Sequence, residues 1–229
     1  MGADGPPYTH WDVGSGAERE FVEALYARAV QLEPDLAPPT GAMGAGRIAV
    51  KVAVDRLLRS RVFAGVTERM LVGNMKQAIA FLGDPGVKAR VLDRLRESVS
   101  ADTRVLIGHS LGSIVAYELL CAAAGETPVE LLVTMGSPLG IPLLVFDRLT
   151  PVPVDGVGAW PGTGIGWVNV SDPDDFVALR PQLGGLFAAA DSDVSVDDRV
   201  VDNGSDPHAA QRYLNSRETG SAVGAVIGG

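Results

Sequence analysis

Residues 104–120 read Arg-Val-Leu-Ile-Gly-His-Ser-Leu-Gly-Ser-Ile-Val-Ala-Tyr-Glu-Leu-Leu, and the fold is decided there. Arg104 to Ile107 is a short apolar run of the kind that forms a strand buried on both faces. Leu111 to Ala124 reads as a helix. Between them Gly108-His109-Ser110-Leu111-Gly112 matches G-x-S-x-G, the single such match in the chain. A nucleophile elbow needs this strand–turn–helix setting. The turn forces Ser110 into a strained backbone conformation, and side chains at 108 and 112 are expected to collide with the neighbouring strand and helix. Ser110 Oγ would then stand clear of the sheet at the positive end of a helix. The Leu111 N–H would point to where an oxyanion develops.

Outward from this turn, strands alternate with helices. Val129 to Met135 and Gly166 to Val170 read as strands, Asp198 to Val201 as a short one, and Pro207 to Leu214 as the last helix. The first hundred residues carry a different texture. Gly2 to Gly14 read as a loop or arm, and Ser15-Gly16-Ala17-Glu18 fits a capping box. Phe21, Leu25, Ala29 and Leu32 then recur at helical spacing until Pro34, Pro38 and Pro39. Further helices are expected over about 48–59 and 67–82. After the Asp84-Pro85-Gly86 turn, Val87, Val91, Leu92, Leu95 and Val99 form the stripe of another. The pattern predicts an α/β fold, a parallel sheet flanked by helices, with the N-terminal strands replaced by a helical region. One domain is expected over 1–229, helical over 1–100 with the strand–elbow–helix core over 101–229.

A formal net charge of −9 and a pI near 4.8 argue against nucleic acid or an anionic membrane as partner. No run approaches the roughly 18 apolar residues that span a bilayer. Met1 to Tyr8 lacks the basic and apolar regions of a signal peptide, so a cytoplasmic protein is expected. The single Cys121 excludes an internal disulfide and reads as a buried structural thiol. Asp191, Asp193, Asp197 and Asp198 lack the glycine and terminal glutamate of a calcium loop. Neither a phosphate-binding loop nor zinc-ligand spacing occurs, so neither metal nor cofactor is expected.

A serine hydroxyl needs a base, and the chain has three histidines. His10 lies in the N-terminal arm. His109 belongs to the elbow, where this residue points away from the serine. His208, in Asn203-Gly204-Ser205-Asp206-Pro207-His208, comes last, as the order Ser, acid, His requires. The acid should follow a strand between them. Trp167 to Val170 supplies the strand, and Ser171-Asp172-Pro173-Asp174-Asp175-Phe176-Val177 a loop with three competing aspartates.

At these residues the chain resembles a group of bacterial α/β-hydrolase proteins known generically as hydrolases or serine peptidases. The likeness is carried by GHSLGSIVAYELL (108–120), TMGSPLGIPLLVFDRL (134–149), GWVNVSDPDDFVAL (166–179) and NGSDPHAAQRYL (203–214), with FAGVTERMLVGNMKQAIAFLGDP (63–85) also fitting. The resemblance implies a triad of Ser110, Asp175 and His208. Asp175 is preferred for its Asp-x-Val pattern, with Asp172 the runner-up and Asp174 third. Such proteins begin with a strand ending in a His-Gly-x-Gly loop that lends a second oxyanion donor, and no such segment precedes Ser110. A truncated or differently started form of a longer hydrolase is one expectation. The other is a naturally short form, whose exposed nucleophile strand is covered by helices or by a second subunit in a homo-oligomer.

The reaction expected is hydrolysis of a small-molecule acyl ester or thioester through an acyl-enzyme on Ser110. Amide cleavage ranks lower because nothing marks a peptide groove. Gly136 to Gly140 follows the second strand at the ligand-binding edge, and Ile141 to Phe146 reads equally as an acyl pocket or as core. The alternative is a non-catalytic binding or assembly module on the same fold, motivated by the missing oxyanion segment.

Overall fold

The computed structural model describes residues 9–14, 16–37, 47–60, 63, 66–123, 125–188 and 194–228. Ser15, Pro38, Pro39, Asp191, Asp193 and the arm before Thr9 lie outside the described residues. The chain divides into two compact units, Met1–Gly83 and Asp84–Gly229.

The first unit is helical: α1 (Gly16–Leu32), α2 (Arg47–Leu57) and α3 (Glu68–Gly83). Phe21, Leu25 and Ala29 of α1 are buried, as are Val50, Ala53 and Val54 of α2 and Leu71, Val72 and Met75 of α3. These spacings of three and four place each set on one helix face. Glu18 Oε2 accepts from Gly14 N at 2.7 Å, and its Oε1 pairs with Lys76. His10 is committed within this unit, with Nδ1 2.6 Å from Glu68 Oε1.

The second unit begins with α4 (Pro85–Ser98), where Asp84 caps the helix by accepting from the N–H groups of Gly86 and Val87. Then follow β1 (Val105–His109), α5 (Leu111–Ala123), β2 (Leu131–Met135), β3 (Gly158–Ala159), β4 (Gly166–Ser171), β5 (Phe187–Ala188), β6 (Asp197–Val200), α6 (Ala210–Leu214) and α7 (Arg217–Ile227). The main sheet has the order β1-β2-β4-β6, every pair parallel. All five residues of β2 are buried, as a central parallel strand covered on both faces requires. Leu131, Val133 and Met135 face one side with Val168, Val170, Tyr213 and Ala222. On the other side Tyr117 of α5 stacks near Trp167 and Phe187, with ring centroids 5.4 and 5.2 Å away. The fold is therefore α/β, a parallel sheet flanked by helices with a helical N-terminal region.

Two features depart from the sequence reading, and a third falls to one of the two readings it left open. The helix ending near Leu214 is not the last, because α7 follows it. Gly220 and Gly224 weaken the local helix signal of α7, and burial of Thr219 and Ala222 supplies what propensity lacks. The pair β3 and β5, two residues each, forms a separate small parallel sheet too short to read from pattern. Ile141 to Phe146 is mostly core: Ile141, Leu144, Val145 and Phe146 are buried, while Leu143 protrudes at φ 61°.

Strand β1 is an edge. Among the described residues no strand pairs with its outer side, and Ile107 is 39% exposed. Beside it lies an open groove of about 650 Å³ lined by Val87, Val91 and Leu95 of α4, Leu106 and Ile107 of β1, and Gly112.

Candidate active site

Parallel strands end on the same side, so the segments after β1, β2, β4 and β6 gather at one edge of the sheet. Ser110 follows β1 directly, at φ 54°, a left-handed conformation costly for a residue with a Cβ. Neighbours over-determine it. Its N–H donates to Met135 O at 3.0 Å, and its carbonyl accepts from Ser113 N and from Ser113 Oγ at 2.6 Å. Ser113 Oγ thus spends its proton on that carbonyl, so Ser137 Oγ, 2.7 Å away, donates to Ser113. Leu111 opens α5, and its N–H belongs to the first helical turn, where donors have no intrahelical acceptor.

The two elbow glycines differ. A Cβ on Gly108 would lie 2.6 Å from both Gly112 O and Ser113 Cα, so β1 and α5 approach too closely for any side chain. Gly112 meets nothing within 4 Å. The expected collision at 112 does not occur, because that position faces the open groove beside the sheet edge.

His208 Nδ1 lies 2.9 Å from both oxygens of Asp175. Of the three aspartates, the structure brings this one to the histidine. The carboxylate of Asp175 is fully buried and also accepts Val177 N at 2.8 Å and Tyr213 Oη at 2.7 Å. Asp172 holds the loops instead: its Oδ1 accepts Asp174 N and its Oδ2 accepts Asn203 N. Asp174 is exposed. With Nδ1–H donated to Asp175, Nε2 of His208 is the nitrogen left to act as base. Ser110 Oγ is not hydrogen-bonded to His208. Their segments meet through neighbours, since Gly136, at φ 52°, leaves room where a Cβ would lie 2.5 Å from Asp175 Oδ2 and 3.2 Å from His208 Nδ1.

Two participants escaped the sequence reading. Tyr213, buried on α6, donates to Asp175 and accepts from Asp172 N at 2.9 Å. Burial, then the negative charge of Asp175, push its phenol far above the usual range. A tyrosine on a helix facing the sheet looks like core, and nothing in its spacing distinguishes it. His109, set aside as pointing away from the serine, turns its ring onto His208 with centroids 4.5 Å apart. Burial, then the charge of His208, hold its pKa below the usual histidine value.

The remaining candidates are committed elsewhere. Asp198 accepts from Asn169 Nδ2, Leu183 N and Gly184 N, and Asp197 pairs with Arg199. Among the described residues, no group of three or more His, Cys, Asp or Glu side chains is placed to hold a metal ion. Among them, too, no helix is long and apolar enough to cross a membrane. Cys121 is half-buried, and burial pushes its thiol up to about 11.

Protein-family models, curated proteins and solved structures were all compared with this chain, and none matches. What is shown of its kinship is the architecture alone, a parallel α/β fold with a four-stranded sheet.

Proposed function

We propose that this chain is a serine hydrolase of the α/β-hydrolase type, cleaving a small acyl ester or thioester through an acyl-enzyme on Ser110. One observation carries the reading: a left-handed serine at a strand–helix turn shares a sheet edge with a buried aspartate–histidine pair, in the chain order Ser, Asp, His. In the mechanism His208 Nε2 takes the Ser110 proton as Oγ attacks the acyl carbon. Asp175 stabilises the imidazolium, and the Leu111 N–H donates to the oxyanion. His208 then returns the proton to the leaving oxygen or sulfur. Water, deprotonated by the same nitrogen, releases the acid. The first test is fluorophosphonate labelling of the folded chain, with Ser110→Ala and His208→Ala as controls. Labelling lost in both variants supports the triad, and labelling unchanged in Ser110→Ala refutes it.

A second reading, a non-catalytic assembly module, draws on the absent Ser110–His208 hydrogen bond and on the bare β1 edge. A second copy of the chain, pairing along its own β1, would cover that edge. Sedimentation at micromolar concentration tests it. A dimer broken by Ile107→Lys supports this reading, and a monomer refutes it.

A further inference from the structure

His109 is the covalent neighbour of Ser110, and its Nε2 lies 2.9 Å from the backbone oxygen of His208, 99 residues away. A carbonyl oxygen only accepts, so Nε2 carries a proton. Burial, then the nearby His208, disfavour the charged form of His109, and in the neutral ring that N–H is the single donor, received by the carbonyl. The ring also lies against His208, tilted by 36°, and 5.9 Å from the ring of Tyr213.

We propose that His109 is a positioning residue that sets the distance between His208 and Ser110. The inference rests on the hydrolase reading above. Asp175 holds His208 only at Nδ1, from the acid loop, and Ser110 Oγ makes no hydrogen bond to the ring. Neither contact ties the base to the strand that carries the nucleophile. The bond from His109 does, because it joins the backbone of residue 208 to the last residue of β1, one peptide from Ser110. Near-attack geometry is sensitive on this scale, and a displacement of about 1 Å costs roughly 10²-fold in rate.

A packing role and a hydrogen-bonding role predict opposite orders of variants. His109→Phe keeps a ring against His208 and loses the donor. His109→Gln loses the ring and keeps an amide N–H at similar reach. His109→Asn carries the same amide on a stem too short to reach. Positioning predicts that Phe and Asn slow fluorophosphonate labelling and lower kcat on a p-nitrophenyl ester by roughly 10–10²-fold, with KM little changed, while Gln recovers most of the loss. Nuclear magnetic resonance of the His208 Nδ1–H reads the same geometry without turnover, and that proton should exchange with water faster in Phe and Asn than in Gln. Phe retaining activity while Gln loses it, or an unchanged His208 signal in Phe and Asn, overturns the proposal. If Phe fails to fold, the comparison of Gln with Asn decides alone. If the wild-type chain itself does not label, the hydrolase reading falls, and the exchange measurement still decides whether His109 holds His208 in place.

Discussion

Alanine at the two elbow glycines should act in opposite directions, although the motif treats them alike. At Gly108 the new Cβ would sit 2.6 Å from Gly112 O, 2.6 Å from Ser113 Cα and 2.8 Å from Gly112 C. All three are backbone atoms, so no side chain can rotate away, and the first turn of α5 must lift from β1. Overpacking of this kind costs about 1–3 kcal/mol, and the upper end applies because the obstacle is main chain. At about 2–4 °C per kcal/mol for a chain of this size, Gly108→Ala should lower Tm by about 6–12 °C. At Gly112 a Cβ meets nothing within 4 Å, and its φ is not in the left-handed region. Alanine there restricts the unfolded chain and favours the helix, a gain of about 0.4–1 kcal/mol. Thermal unfolding followed by circular dichroism, with urea midpoints at unchanged slope, measures both. Equal destabilisation by the two variants would refute the placement of Gly112 against open space. An unchanged Tm for Gly108→Ala would refute the close approach of strand and helix.

Other consequences are equally direct. Tyr213→Phe removes one buried hydroxyl that serves Asp175 and Asp172 N together, leaving a buried N–H unpaired. It should cost about 2–4 kcal/mol in urea unfolding, and a loss below about 0.5 would show that the bonds are not formed. Folding stability should fall as pH drops from about 6.5 through the depressed pKa of His109, because the unfolded chain takes up that proton first. His109→Gln should flatten this slope, and an identical slope in the variant refutes the assignment. With its thiol pushed up to about 11, Cys121 should react with iodoacetamide at pH 8 roughly 10²-fold more slowly than an unperturbed thiol. Alkylation at the ordinary rate would show that the thiol is not held in an apolar setting.

Much of this was legible along the chain, wherever the deciding interactions are local. The elbow is five consecutive residues between a strand and a helix, and each of those elements declares itself by its own apolar pattern. The strands β2 and β4 are mostly apolar because both their faces are covered, and their order with the intervening helices predicts a parallel sheet. What only the tertiary structure decided depends on which distant side chains meet. Asp172, Asp174 and Asp175 share one loop and one chemistry. Its folded path sends the first toward Asn203, the second to solvent and the third to His208. Tyr213 reads as core because its hydroxyl partners lie far away in sequence. Gly112 reads as sterically required until the sheet is seen to end at β1. His109 reads as bystander until the loop carrying His208 closes over it. Periodicity records which face of an element is buried. The atom found on the other side of that face is set by strand register and loop closure, and these exist only once the chain has folded.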